Sequence, residues 1–277
     1  MPRPTTTAMG DDLVIIRNNI TIRGSGQRTL VFAHGFGCDQ HMWSDVARQF
    51  EGDYRIVLFD HVGAGGSDLS AYDPAKYSSL AGYASDLIEI GEVLELRDAV
   101  IIGHSVSSMI GALASIERPD IFSEIVMVGP SPRYIDDDDY HGGFTEAQID
   151  ELLSFLDENH LGWSAAMAPQ IMGNADRPEL GERLTGSFCA TDPDIARQFA
   201  RVTFYSDNRE DLPKVTARSL VLQCQQDIIA PESVGQYVHA NLPNSEYRLL
   251  DATGHCPNLS APEEVTNAIR DFLVATN

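Results

Sequence analysis

Along the chain, short apolar runs rich in β-branched residues recur: TLVFAHG (Thr29 to Gly35), YRIVLFD (Tyr54 to Asp60), AVIIGHS (Ala99 to Ser105), EIVMVGP (Glu124 to Pro130), SLVLQCQQD (Ser219 to Asp227) and YRLLD (Tyr247 to Asp251). Their near-continuous hydrophobicity predicts central strands covered on both faces. Between most of them lie segments that read as helices: DQHMWSDVARQF, LAGYASDLIEIGEVLEL, VSSMIGALASIE, PESVGQYVHANL and PEEVTNAIRDFL. Strand and helix alternate, which predicts an α/β chain with a mostly parallel, doubly wound sheet. The amino-terminal DLVIIRNNITIRGSG predicts a short hairpin added at one edge, turning at Asn18 and Asn19.

The alternation fails once. From about Arg133 to Val215 there is no strand pattern, but TEAQIDELLSFLDENH and DPDIARQFARVTF read as amphipathic helices. The segment predicts an all-helical insertion capping the strand ends. The expected organisation is a core from residues 1–132, the insertion from 133–215, and a second part of the core from 216–277.

Composition narrows the partners. Lys plus Arg number 19 against 41 for Asp plus Glu, a net charge of −22 that repels polyphosphate backbones and anionic membranes alike. Nucleic acid and membrane surfaces are therefore not the expected partners. No apolar run reaches the roughly 18 residues of a membrane span, and MPRPTTTAMGDD lacks the apolar stretch of a secretory signal. A cytoplasmic protein is expected. Cys38, Cys189, Cys224 and Cys256 are scattered, with no C-x-x-C pair, and read as reduced thiols; Cys256 differs from the others in following a histidine, His255, directly. The run Asp136 to Asp139 lacks the spaced Gly and Glu of a calcium loop and reads as a solvated turn.

Chemistry enters at GHSVS, where Ser105 stands between a buried strand and a helix, with Gly103 two before it and Ser107 two after. A sharp strand-to-helix turn crowds these neighbours, so both must be small, and it lifts the serine above the sheet edge at the positive end of a helix. The competing reading is a helix N-cap. A catalytic serine needs a base and a carboxylate behind it. Of eight histidines, His160 and His239 fall in helical segments, His41 and His61 follow early strands, and His141 lies in the acidic loop. His104 points away from its neighbour if the turn forms. His255, in the loop after the last strand, is the candidate base. Asp227 ends a strand 28 residues earlier and is the candidate carboxylate, with a helix N-cap as its alternative role and Asp251 as runner-up. All three candidates fall at carboxyl ends of predicted strands, where open α/β sheets place ligands. The oxyanion formed on attack needs fixed N–H donors. Val106 supplies one, and Phe36 of the small-residue loop His34-Gly35-Phe36-Gly37 the other, its ring facing the pocket.

Taken together, these residues resemble the RsbQ type of α/β-hydrolase, a bacterial stress-signalling regulator related to the plant karrikin and strigolactone receptors. The likeness is carried by GFGCDQHMW, GHSVSSMIG, LASIERPDIFSEIVMVGPSPRY, GGF, ATDPDIARQFA, FYSDNREDLPKVT, QCQQDIIAP and GHCPNLSAP, nearly end to end. It implies an α/β-hydrolase fold, a triad of Ser105, Asp227 and His255, oxyanion donors at Phe36 and Val106, and a lid of about four helices in a V over a mostly apolar pocket. Phe36, Trp163, Phe188 and Phe204 are then expected in the pocket lining, with Tyr134 and Phe144 near its mouth. Ser107 departs from the bacterial regulator, which has Gly there, and agrees with the plant receptors.

Two functions are compatible with these parts. One is a serine hydrolase acting on a small apolar ester or lactone, requiring no metal or organic cofactor. The other is a ligand-sensing module whose lid changes affinity for a partner, by resemblance a PAS-domain phosphatase.

Overall fold

The computed structural model of the protein describes residues 6–275. Its strands are β1 (Thr21–Arg23), β2 (Thr29–Ala33), β3 (Arg55–Leu58), β4 (Ala99–His104), β5 (Phe122–Val128), β6 (Arg218–Gln226) and β7 (Ser245–Thr253). They form one sheet in the order β1-β3-β2-β4-β5-β6-β7, with β1 antiparallel to β3 and every other pair parallel. The helices are α1 (Thr6–Arg17), α2 (Ser44–Ala47), α3 (Leu80–Val93), α4 (Val106–Glu117), α5 (Glu146–Glu158), α6 (His160–Met172), α7 (Pro178–Ala190), α8 (Pro193–Phe204), α9 (Glu232–Asn241), α10 (Pro257–Ser260) and α11 (Pro262–Val274).

The alternation of side chains along each strand splits the core in two. Leu30, Phe32, Val100, Ile102, Val126 and Val128 share one cluster with Val46 of α2 and Ile269 and Phe272 of α11. Their neighbours Val31, Ala33, Ile101, Ile125 and Met127 share the other with Leu87 of α3 and Met109 and Ile110 of α4. All are buried, and each such aliphatic side chain contributes about 1.5–3 kcal/mol. The chain order reverses between β2 and β4. Their pairing of Ala33 with Gly103 brings the loops that follow, at His34 and Ser105, out side by side at the carboxyl edge.

The predicted amino-terminal hairpin is replaced by α1 and the single edge strand β1. The apolar run Leu13 to Ile16 favoured a strand on local propensity, but tertiary contacts decide otherwise. Arg17 closes α1 by pairing with Glu89 at 2.5 Å and Asp86 at 3.3 Å on α3. Ile20 N–H bonds back to the Ile15 carbonyl, and Asn19 takes a left-handed φ of 45°, so the Asn pair ends a helix rather than turning a hairpin. The segment 39–50 also differs from its prediction: α2 is flanked by two short 3-10 turns, Gln40–Trp43 and Arg48–Phe50.

Between β5 and β6 come the four helices α5 to α8. Asp192 caps α8 through the N–H groups of Asp194 and Ile195, and Thr145 with Gln148 forms a capping box on α5. In the acidic turn, Asp136 accepts from Gly143 N–H and Asp137 pairs with Arg209. Among the described residues, no helix is long and apolar enough to cross a membrane.

Candidate active site

Ser105 follows β4 directly and precedes the first residue of α4, with φ 56° and ψ −124°. A non-glycine residue in this region stores about 1–3 kcal/mol of strain, held here by a 2.8 Å bond from Ser105 N–H to the Val128 carbonyl. The turn explains the small residue before it: a Cβ on Gly103 would lie 2.5 Å from the Ser107 carbonyl oxygen.

His255 reaches this point from the loop after β7. Gly254, at φ +88°, bonds to the Gln226 carbonyl, and His255 N–H to the Ile171 carbonyl at the end of α6. The imidazole Nε2 lies 2.7 Å from Ser105 Oγ, and Nδ1 lies 2.7 Å from Asp227 Oδ2. The carboxylate accepts, so Nδ1 carries the proton and Nε2 is free to accept from the serine hydroxyl. Asp227 Oδ1 is held in turn by the N–H groups of Ile229 and Ala230 at 2.8 and 3.1 Å. Thus the structure brings the three residues predicted from sequence into one hydrogen-bonded line. Asp251 is not part of it: that residue is exposed on β7 with its N–H bonded to Glu264.

The Nε2 of His104 donates to the His255 carbonyl oxygen at 2.7 Å, and the residue borders the same cavity as Ser105. Burial depresses its pKa to about 3, so it stays neutral. Gly129, just beyond β5, has φ +59° and passes under the His255 ring; a Cβ there would sit 3.2 Å from Cε1. In the sequence Gly129 is a lone Gly after a buried strand, a signal that does not say what it faces.

The N–H groups of Phe36 and Val106 have no partner among the described residues. Beside them lies a narrow cavity lined by Phe36, Tyr134, Trp163, Phe188 and Phe204 together with Ser105 and His255. The Phe36 ring stands 6.0 Å from Trp163 and 5.9 Å from Phe188, centroid to centroid, so core and α6–α7 share one aromatic wall. Phe144 is not in the lining; its N–H and C=O bond to the backbone of Tyr134 and Asp136, beside a bridge to Ile135. Tyr134 is fully buried in the wall rather than at a mouth. His104, Ile171, Leu184, Thr203, Ile229 and the thiols of Cys38 and Cys256 complete the wall. Their positions in the lining depend on long-range packing and carry no separate sequence signal. Burial pushes Cys38 up to about 12 and Cys256 well above its ordinary value, so both are neutral wall groups rather than thiolates. Four buried polar atoms of lining residues lack partners: His104 Nδ1, Tyr134 Oη, Trp163 Nε1 and Thr203 Oγ1. Burial raises the Tyr134 phenol to about 12, leaving it a neutral donor.

A model of the alpha/beta hydrolase family matches residues 30–268. A karrikin insensitive 2 receptor from Petunia hybrida is 38% identical over 249 residues, covering 90% of this chain and 92% of its own. A strigolactone esterase from Arabidopsis thaliana is 37% identical over 256 residues, covering 92% and 96%. Among solved structures, a hydrolase from Oleispira antarctica matches with a TM-score of 0.92 at 42% identity, covering 95% of this chain and 96% of that one. With its parallel sheet, its strained serine turn and these relatives, the chain belongs to the alpha/beta hydrolase family and is a hydrolase.

Proposed function

We propose that the protein is a serine hydrolase of small, largely apolar esters or lactones. The observation that carries this reading is the unbroken line Ser105–His255–Asp227 at the wall of an aromatic cavity. His255 Nε2 takes the hydroxyl proton as Ser105 Oγ attacks the carbonyl carbon, and Asp227 holds the imidazolium that results. The N–H groups of Phe36 and Val106 stabilise the oxyanion. His255 then returns the proton to the departing alkoxide, and water, activated the same way, releases the acyl group. No step calls for a metal or organic cofactor. Tyr134, Trp163 and Thr203 offer polar contacts to a substrate that carries oxygen beyond the scissile group, which favours lactones. Segment 133–215 serves as the lid, and the four unpaired cysteines fit a reducing, cytoplasmic setting.

A second reading shares the same site: an RsbQ-type sensor in which slow turnover shifts the lid and alters binding to a PAS-domain phosphatase. The likeness to a karrikin insensitive 2 receptor favours it. It predicts that added ester changes affinity for such a phosphatase, which titration with and without ester measures.

The nucleophile is tested by comparing the wild type with Ser105→Ala on short p-nitrophenyl esters, alongside a serine-reactive phosphonate located by mass spectrometry. Turnover is expected to fall by several orders of magnitude in Ser105→Ala, with the label on Ser105 in the wild type. A label elsewhere, or activity that persists in Ser105→Ala, contradicts the assignment.

A further inference from the structure

Ser107 stands where the nucleophile pentapeptide usually ends on glycine, and none of the hydrolytic steps uses it. Its hydroxyl is buried between two other elements: Oγ lies 2.5 Å from the His34 carbonyl oxygen and 2.8 Å from Nε2 of His61. A carbonyl oxygen only accepts, so the serine proton goes to His34 and His61 must present Nε2–H to the serine oxygen. The backbone N–H of His61 donates to Nε2 of His34 at 3.0 Å. That leaves the proton of His34 on Nδ1, which donates to the Gly35 carbonyl oxygen at 2.9 Å. The loop of bonds closes on itself, each proton has one place, and none of the three side chains is more than 1% exposed. Burial holds both imidazoles below the usual histidine value, so the pattern stays neutral.

The outlet of this loop is the peptide joining Gly35 to Phe36, whose C=O and N–H lie in one rigid plane. A donor on the carbonyl fixes where the N–H points and polarises it toward an acceptor. The Cys38 N–H donates to the same oxygen at 3.3 Å. We infer that Ser107, His61 and His34 are positioning residues that set this peptide plane, so that Phe36 N–H meets the developing oxyanion without reorientation. The inference rests on the reading of Ser105 as nucleophile, and none of the three touches substrate.

The test uses the full chain as wild type, Ser107→Ala, His61→Phe, the double variant and His61→Gln. Phenylalanine preserves the ring packing of His61 against Phe59 and Tyr83, at 5.2 and 5.6 Å between centroids, while removing both ring nitrogens. Glutamine restores an N–H donor. With p-nitrophenyl acetate, each of the first two variants is expected to lose about tenfold in kcat with KM within about twofold, less than the 10²–10³ lost when an oxyanion donor is removed outright. The double variant should lose no more than the worse single one, His61→Gln should recover most of kcat, and the phosphonate should modify Ser105 more slowly in Ser107→Ala. Unchanged kcat in both single variants, a loss confined to KM, or additive losses in the double variant would overturn the inference while leaving the nucleophile in place. Failure of the wild type to take the label at Ser105 would instead overturn the hydrolytic reading beneath it.

Discussion

Asp227 decides which nitrogen of His255 carries the proton. Its Oδ1 is committed to the Ile229 and Ala230 N–H groups, so Asp227→Asn would keep its carbonyl there and turn its NH₂ toward Nδ1. The imidazole would then carry its proton on Nε2 and be unable to accept one from serine. A kcat loss of about 10⁴ is expected, with a thermal midpoint within a few degrees of wild type, read by steady-state kinetics and calorimetry. Gly129→Ala tests the floor of the same site: its φ of +59° strains any Cβ, which would also press on the His255 ring at 3.2 Å. It should cost about 1–2 kcal/mol in a urea titration and at least about tenfold in kcat. Ser105, Asp227 and His255 were legible because each stands at a strand end and small neighbours mark the turn. The partnership of His61 with Ser107 was not, because it joins residues 46 positions apart through hydroxyl geometry that no local pattern records.

At the level of elements, β2 to β6 and α4 could be read directly, since runs buried on both faces leave little ambiguity in period, whereas YRLLD lies in β7, an edge strand largely half-buried or exposed rather than the covered central strand expected. The hairpin reading failed at α1 because β-branched residues there belong to a helix tied down by Arg17 on Asp86 and Glu89, contacts remote in sequence. The end of α6 shows a similar long-range tie. Asn174, at φ 54°, donates through Nδ2 to the carbonyls of Met172 and Thr253, both at 2.8 Å, joining the helix end to the strand that leads to His255. Asn174→Ala should cost about 2 kcal/mol by chemical unfolding, from lost hydrogen bonds and a strained backbone, and Asn174→Gly measurably less because it tolerates that φ.

For the whole molecule, acid is the sensitive variable. The imidazoles of His34, His61 and His104 are buried and held below the ordinary histidine value, chiefly by burial. The unfolded chain takes up these protons near pH 6.5 while the folded chain refuses them until lower pH. Their contribution is therefore intact above about pH 6.5 and is lost as pH falls below it, at up to about 1.4 kcal/mol per pH unit for each group. Unfolding free energy measured from pH 7.5 to 5 should drop steeply, less so in His61→Phe; a flat profile would contradict neutral burial. Finally, the main-chain bond from His255 to Ile171 ties the proton carrier to α6, whose Trp163 and Ile171 line the cavity. A tilt of that helix must either snap the tether or drag the imidazole off its serine, so the wall of the cavity and the base that works in it move as one.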